Sequence, residues 1–180
     1  MPYKSLQDCL ADLEKHGHLK RIKQEVDPCL EMAEIQRQVY AAQGPALLFE
    51  KVKGSPFVAA SNLYGTIERT AFIFRHTLKK IKKVIELKSD PTLFLRHPVK
   101  YAGAPFTALT ALPMKAWTAP SLYGKTSIDR LPQIVSWKDD GGAFITLPQV
   151  LTLPPGDRNM MHSNLGMYRI QLSGNDYIQN

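Results

Sequence analysis

Two polar residues near the end of the chain, Asn164 and Arg169, have side chains that can hold ions. An asparagine amide offers a neutral oxygen to a hard cation, and a guanidinium binds a carboxylate or phosphate through its planar fork. Alternation of apolar and polar residues predicts a strand over residues 163–172. A bulge or tight bend at its entrance would let both side chains face one space. The alternative is a solvated arginine on the polar face of a strand, which spacing alone favours.

The elements expected before this segment begin with a helix and a strand. Ser5, with Asp8 three residues later, is typical of a capping box and predicts a helix over residues 6–16. Short apolar runs predict three strands, at residues 19–22, 46–50 and 57–61.

Two further helices are expected between these strands and after them. Asp27 followed by Pro28 predicts an N-cap with a proline at the first helical position. A basic helix is expected to begin near Ile67. Helices alternating with strands predict a small α/β unit, with helices packed on a sheet.

A change in composition after residue 88 predicts a linker and a second domain. Nine prolines lie between residues 91 and 155, and short apolar runs at 134–137 and 144–147 are typical of β structure. We place the boundary near residues 115–125, between an N-terminal α/β domain at 1–118 and a β-rich domain at 119–180. The predicted fold class is therefore α/β (α+β).

Composition restricts the class of protein. No apolar run approaches the ~18 residues of a membrane span, which predicts no transmembrane segment and a cytoplasmic protein. Cys9 and Cys29 are both expected in helices, without zinc or disulfide spacing. The net charge of +7 indicates an anionic ligand, a nucleic acid or a membrane surface. The lysines at 79, 80, 82 and 83 are best explained as a solvated helix face, because no nucleic-acid-binding module accompanies them.

The order of several short blocks resembles the UbiD family of decarboxylases. The most specific block is Asn164-Leu165-Gly166-Met167-Tyr168-Arg169, which looks like that family's signature. Further blocks that resemble the family lie at residues 6–13, 19–22, 25–28, 44–50, 62–66, 131–134, 140–142 and 144–148.

The resemblance implies a flavin-dependent carboxy-lyase that uses prenylated FMN and a divalent metal, Mn²⁺ or another. It implies that Asn164 is a metal ligand and that Met167, Tyr168 and Arg169 contact the flavin. It also implies that Arg169 is catalytic and lies near the substrate carboxylate. The fold implied after residue 119 is the start of a split β-barrel that binds the flavin. Such a cofactor is needed because no side chain can delocalise the electrons that CO2 leaves on an sp2 carbon.

The resemblance also implies partners. These are an aromatic or α,β-unsaturated carboxylic acid as substrate, a flavin prenyltransferase as cofactor supplier, and further copies of the chain. A role in ubiquinone or menaquinone biosynthesis is compatible with it, and no nucleic acid is expected.

In the family the remaining metal ligands, a His and a Glu, lie farther along than residue 180. We therefore expect an N-terminal portion of such an enzyme, inactive or nearly so alone. The alternative is a non-catalytic basic module that binds a phosphorylated ligand, RNA or a partner protein.

Overall fold

A computed structural model describes residues 3–110, 112, 117–118 and 123–173. The helices are α1 Leu6–Lys15, α2 Glu31–Ala41, α3 Ile67–Ile73, α4 Arg75–Ser89, α5 Thr92–Arg96, α6 Pro98–Tyr101 and α7 Ala104–Leu109. The strands are β1 Leu19–Val26, β2 Ala46–Val52, β3 Ala59–Ser61, β4 Ala143–Ile145, β5 Gln149–Thr152, β6 Asn164–Met167 and β7 Ile170–Leu172. Two 3-10 turns lie at Ile128–Arg130 and Met160–His162.

The capping box at the start of α1 is confirmed. Ser5 Oγ accepts a hydrogen bond from the Asp8 main-chain N–H at 3.1 Å, and the Asp8 carboxylate accepts one from the Ser5 N–H at 3.1 Å. These two bonds satisfy donors that the first helical turn leaves unpaired. Gly17, with φ at 75°, follows the helix in the left-handed conformation that a glycine adopts without strain.

The N-terminal core surrounds a three-stranded sheet. β1 is parallel to β2, and β2 is antiparallel to β3. The sheet has a hydrophobic core on each face. Side chains along β2 contribute to both cores, because successive side chains of a strand point to opposite faces. On one face lie Cys9, Leu13, Leu19, Ala46, Leu48 and Ile73. On the other lie Val26, Met32, Leu47, Phe49, Val52 and Ala59. The predicted α/β arrangement is confirmed.

The predicted start of the second helix is wrong. Helix α2 begins at Glu31, because the chain first makes a turn in which the Asp27 carboxylate accepts from the Cys29 N–H at 2.8 Å. Leu30 then adopts a φ of 66°, which an α-helix does not allow. Cys29 is consequently exposed and outside a helix, contrary to prediction, whereas Cys9 is buried in α1.

The basic segment forms two helices that meet at Phe74. Its apolar stripe of Phe74, Leu78, Ile81 and Ile85 is 38–56% exposed, so the described residues cover that face only in part. The chain continues through α5, α6 and α7, which precede the linker and boundary that the sequence predicts near residues 115–125. Short helices are compatible with these prolines because Pro98 lies in the first turn of α6, where no N–H is needed.

The second part of the chain contains two small antiparallel sheets. β4 pairs with β7, and β5 pairs with β6. Among the described residues the strands do not close into a barrel. The run at 134–137 forms a single bridge between Val135 and Cys29 instead of a strand. The domain division at 118/119 stays a prediction, and the turn and returning strand expected after Ser173 lie outside the described residues.

Candidate functional site

The predicted strand over residues 163–172 is two strands in separate sheets. β6 lies opposite β5, with Asn164 facing Thr152, and β7 lies opposite β4. The chain therefore turns at Tyr168 and Arg169, not at the entrance where the sequence predicts a bend. The Tyr168 N–H donates to the Pro148 carbonyl at 3.3 Å, which ties the start of the turn to the residue before β5.

Asn164 presents an amide oxygen at the surface of the site. Its Nδ2 lies 3.5 Å from the Tyr168 hydroxyl, and its side chain is exposed. No donor among the described residues contacts Oδ1. A neutral oxygen of this kind fits one position in the shell of a hard divalent cation. Within the described residues there is no group of three or more His, Cys, Asp or Glu side chains that could hold a metal ion.

Tyr168 packs back on the strand that precedes it. A Cβ at Gly166 would overlap the Tyr168 ring, so only glycine leaves room for this ring position. The contact fixes the tyrosine hydroxyl next to Asn164. Met167 is 63% exposed at the end of β6, which leaves its side chain available to a flat apolar ligand.

Arg169 is held by two groups, one in the turn before β4 and one in β4 itself. Its Nη2 forms an ion pair with Asp140 Oδ2, and its Cζ lies 3.7 Å from the centre of the Phe144 ring. The Asp140 side chain is only 11% exposed, and that of Arg169 is 43% exposed. One N–H group of the guanidinium is therefore paired with Asp140, and one face of its plane is covered by Phe144. Its remaining N–H groups have no partner among the described residues. Such a group can bind a carboxylate or phosphate.

The loop before Asn164 is ordered by Asp157. This carboxylate accepts from the Asn159 N–H at 2.7 Å and contacts His162 Nδ1 at 2.6 Å. The Asn159 N–H, followed by the His162 ring, lowers the pKa of Asp157 below its usual range. The loop thus reaches β6 with a defined conformation, which determines the position of Asn164.

Sequence reasoning missed the contributions of Asp140, Phe144, Asp157 and His162. Asp140 lies in the turn-rich segment Asp139-Asp140-Gly141-Gly142 and in the block at 140–142 that resembles the family. Nothing in its spacing from Arg169 indicates a contact across 29 residues. Of the predicted site residues, Asn164 and Tyr168 are in contact, and Arg169 follows Tyr168 with partners of its own.

The described residues are a mixed α/β chain with an exposed amide oxygen at Asn164 and a held guanidinium at Arg169. Comparison with known proteins gives the family of the chain. The N-terminal domain of 3-octaprenyl-4-hydroxybenzoate carboxy-lyase matches residues 10–88. The Rift-related domain of the same carboxy-lyase matches residues 116–179. The chain belongs to the UbiD family, as its sequence blocks indicate.

The relatives are considerably longer than this chain. A protein of Chlamydia trachomatis is 38% identical over 172 residues, which are 93% of this chain and 29% of the relative. A 4-hydroxybenzoate decarboxylase chain of Chlamydia pneumoniae is 36% identical over 163 residues, which are 81% of this chain and 25% of the relative. The chain thus spans less than a third of the length of these two relatives.

Solved structures confirm the fold. Vanillic acid decarboxylase of Sedimentibacter hydroxybenzoicus, in open form, aligns with a TM-score of 0.67 at 27% identity, over 97% of this chain and 35% of that chain. An evolved dimeric form of the UbiD-class enzyme HmfF of Pelotomaculum thermopropionicum, in complex with prFMN, aligns with a TM-score of 0.67 at 24% identity, over 97% of this chain and 37% of that chain. The second likeness concerns the fold alone.

No described helix is both long and apolar enough to cross a lipid bilayer.

Proposed function

We propose that this chain contributes to a carboxy-lyase that removes CO2 from, or adds it to, an aromatic or α,β-unsaturated acid, with prenylated FMN and a divalent metal such as Mn²⁺. The observation that carries the proposal is the turn at Tyr168 and Arg169. Within the described residues it presents a guanidinium with uncommitted N–H donors next to a tyrosine that contacts an asparagine with an uncommitted oxygen. Membership of the UbiD family supports the same conclusion.

Each residue of the turn has a proposed role. Asn164 Oδ1 is one ligand of the metal, and Met167, Tyr168 and Arg169 contact the flavin. Arg169 is the catalytic residue of this segment, because a planar guanidinium pairs with a substrate carboxylate in a fixed orientation that lysine does not reproduce. The flavin, when bound, supplies the electron sink that decarboxylation at an sp2 carbon requires.

A cellular context accompanies these roles. A flavin prenyltransferase supplies the cofactor, the enzyme acts in the cytoplasm as a homo-oligomer, and the product enters quinone biosynthesis. The matching family models are described as domains of 3-octaprenyl-4-hydroxybenzoate carboxy-lyase, which supports a prenylated aromatic acid as the substrate.

A chimera tests the activity. The matching segment of the Chlamydia pneumoniae 4-hydroxybenzoate decarboxylase is replaced by this chain, and the protein is produced together with a flavin prenyltransferase. We expect CO2 release from 4-hydroxybenzoate that depends on added Mn²⁺. We expect Arg169→Ala to lower the rate at least ~100-fold, as for the loss of an interaction with developing charge in a catalytic site.

Arg158→Ala is the matched control, because the Arg158 side chain is exposed and has no partner among the described residues. The main-chain N–H that contacts Asp157 is kept in alanine. It should leave CO2 release within about twofold of the unsubstituted chimera, as expected for a surface position. Normal turnover by the Arg169→Ala chimera would remove Arg169 from the reaction. If the chimera releases CO2 at the same rate with and without a metal chelator, Asn164 does not have its proposed role as a metal ligand.

A second candidate function rests on α4. Lys79, Lys80 and Lys82 are exposed, and no ion pair joins them to any described residue. A non-catalytic module could use them to bind RNA or another polyanion. This function predicts RNA binding that weakens with salt and is lost when Lys79, Lys80, Lys82 and Lys83 are replaced by Gln. RNA binding that survives those substitutions would exclude α4 as the binding element.

A further inference from the structure

The ion pair between Arg169 and Asp140 joins two turns that lie far apart in the sequence. Each of the two side chains restricts the orientation of the other. Asp140 lies in the turn before β4, and Arg169 lies directly before β7. These strands are neighbours, with Phe144 opposite Gln171. Sheet pairing therefore brings the carboxylate and the guanidinium together.

The partners of Arg169 restrict its rotation. A guanidinium has five N–H donors, of which the described contacts use only Nη2. The ion pair prevents rotation about the end of the side chain, and the Phe144 ring covers one face of the plane. The Asp140 contact uses one N–H of Nη2, so the second Nη2 N–H and the Nε and Nη1 groups have no partner among the described residues. One edge of the fork, formed by Nη2 with either Nε or Nη1, is left with a defined direction.

A second bond from the same strand holds the turn that carries Asp140. Gln171 Nε2 donates to the Gly141 carbonyl at 3.0 Å. Arg169 contacts Asp140 and Gln171 contacts the next residue, Gly141, so both side chains reach the same turn. Gly141 and Gly142 have φ values of 74° and 142°, which side-chain-bearing residues rarely adopt. The turn is thus shaped to hold Asp140 against Arg169.

We propose that Asp140 is a positioning residue that directs the free edge of Arg169 toward an anionic ligand, a carboxylate or the phosphate of a flavin nucleotide. The identity of the ligand rests on the proposed function. The orientation itself does not.

Positioning and simple electrostatics predict opposite results when the carboxylate is removed. An extra negative charge beside a cation repels an incoming anion, so a merely electrostatic Asp140 would weaken anion binding and its removal would strengthen it. A positioning Asp140 orders the guanidinium before the ligand arrives, so its removal weakens binding. The sign of the change therefore distinguishes the two roles.

The first measurement uses NMR of the ¹⁵N-labelled 180-residue chain, with Arg169→Lys to assign the Arg169 signals. We expect separate Nη1 and Nη2 signals for Arg169, because the ion pair slows rotation about the Cζ–Nη bonds. Asp140→Asn should average them. Asp139→Asn, one residue earlier, exposed and without a described partner, should leave them separate. Separate signals in Asp140→Asn would overturn the proposal.

The second measurement is a fluorescence titration with FMN in the presence of Mn²⁺. We expect Asp140→Asn to weaken FMN binding about tenfold, the effect of losing one hydrogen bond between charged groups, and Asp139→Asn to change it less than about twofold. Asp140→Glu, which keeps the charge, should recover part of the loss and shows that the effect is not misfolding. Equal or tighter binding by Asp140→Asn would overturn the proposal. If the unsubstituted chain does not bind FMN, these residues do not form the cofactor site without the rest of the enzyme, and the NMR measurement alone decides the role of Asp140.

Discussion

Replacement of Arg69 by methionine should destabilise the N-terminal unit strongly. Arg69 is 3% exposed, and its guanidinium donates to three main-chain carbonyls: to Leu63 at 3.0 Å, Gly44 at 2.9 Å and Asn62 at 2.6 Å. It therefore ties the loop before α3 to the turn before β2. Burial lowers the pKa of Arg69 through loss of solvation.

The magnitude follows from the three carbonyls. The Gly44 carbonyl keeps a long contact from Asn62 Nδ2 at 3.4 Å, and the Asn62 carbonyl keeps one from the Gly65 N–H at 3.3 Å. A buried acceptor left without a donor costs about 1–3 kcal/mol, and a hydrogen bond lost at an acceptor that keeps another donor costs about 0.5–1.5 kcal/mol. Methionine fills much of the same volume and removes a buried charge, which offsets part of that cost. We expect Arg69→Met to lower the free energy of unfolding by about 2–4 kcal/mol.

Urea unfolding followed by circular dichroism measures the change. Arg37→Met is the matched control, because Arg37 pairs with Glu34 at the surface, with both side chains about half exposed or more. That pair should contribute about 0–1 kcal/mol. If the unfolding free energies of Arg69→Met and Arg37→Met agree within about 1 kcal/mol, the reasoning about carbonyl partners is refuted.

Two further changes test the same unit. Gly65→Ala should lower the free energy of unfolding in urea by about 2–3 kcal/mol, because the new Cβ would overlap Asn62 Oδ1 and displace the loop. Gly103→Ala is the control: nothing lies within 4 Å of a Cβ at that position, so this change should alter the free energy of unfolding little. Asp12→Asn should alter the pH dependence of stability, because the Tyr3 hydroxyl and then Arg75 lower the pKa of Asp12 below its ordinary 3.8. The ionised carboxylate therefore stabilises the fold above about pH 4 and loses this effect as pH falls, so the urea midpoints of wild type and Asp12→Asn should converge between about pH 5 and pH 2. A gap that stays constant over that range would contradict the assignment.

Local patterns in the sequence predicted the parts of the fold that local energetics control. The capping box at Ser5 and Asp8 acts within one helical turn. The alternation in β2 follows from strand geometry alone. The candidate site residues were also visible, because residues 164–169 resemble a family signature that does not depend on folding the chain, but the position of the turn at Tyr168 and Arg169 was not.

Other features were decided by partners far away in the sequence. β1 extends beyond the predicted residues 19–22 because β2 pairs with it as far as Val26 and Val52. The segment 134–137 forms only a single bridge because its pairing partner is the turn at Cys29, which pairs with Val135. The periodicity of apolar residues within a short stretch of sequence contains no information on which distant segments pair.

The amino-acid sequence by itself determined the family of this protein, its α/β class and the residue types offered to an anion and a cation. Only the tertiary structure decided how they are held. Two separate sheets divide residues 163–172 into β6 and β7, and the neighbouring strand β4 brings Asp140 and Phe144 to Arg169. A guanidinium becomes directional only when other groups restrict its rotation, and those groups come from a turn 29 residues away.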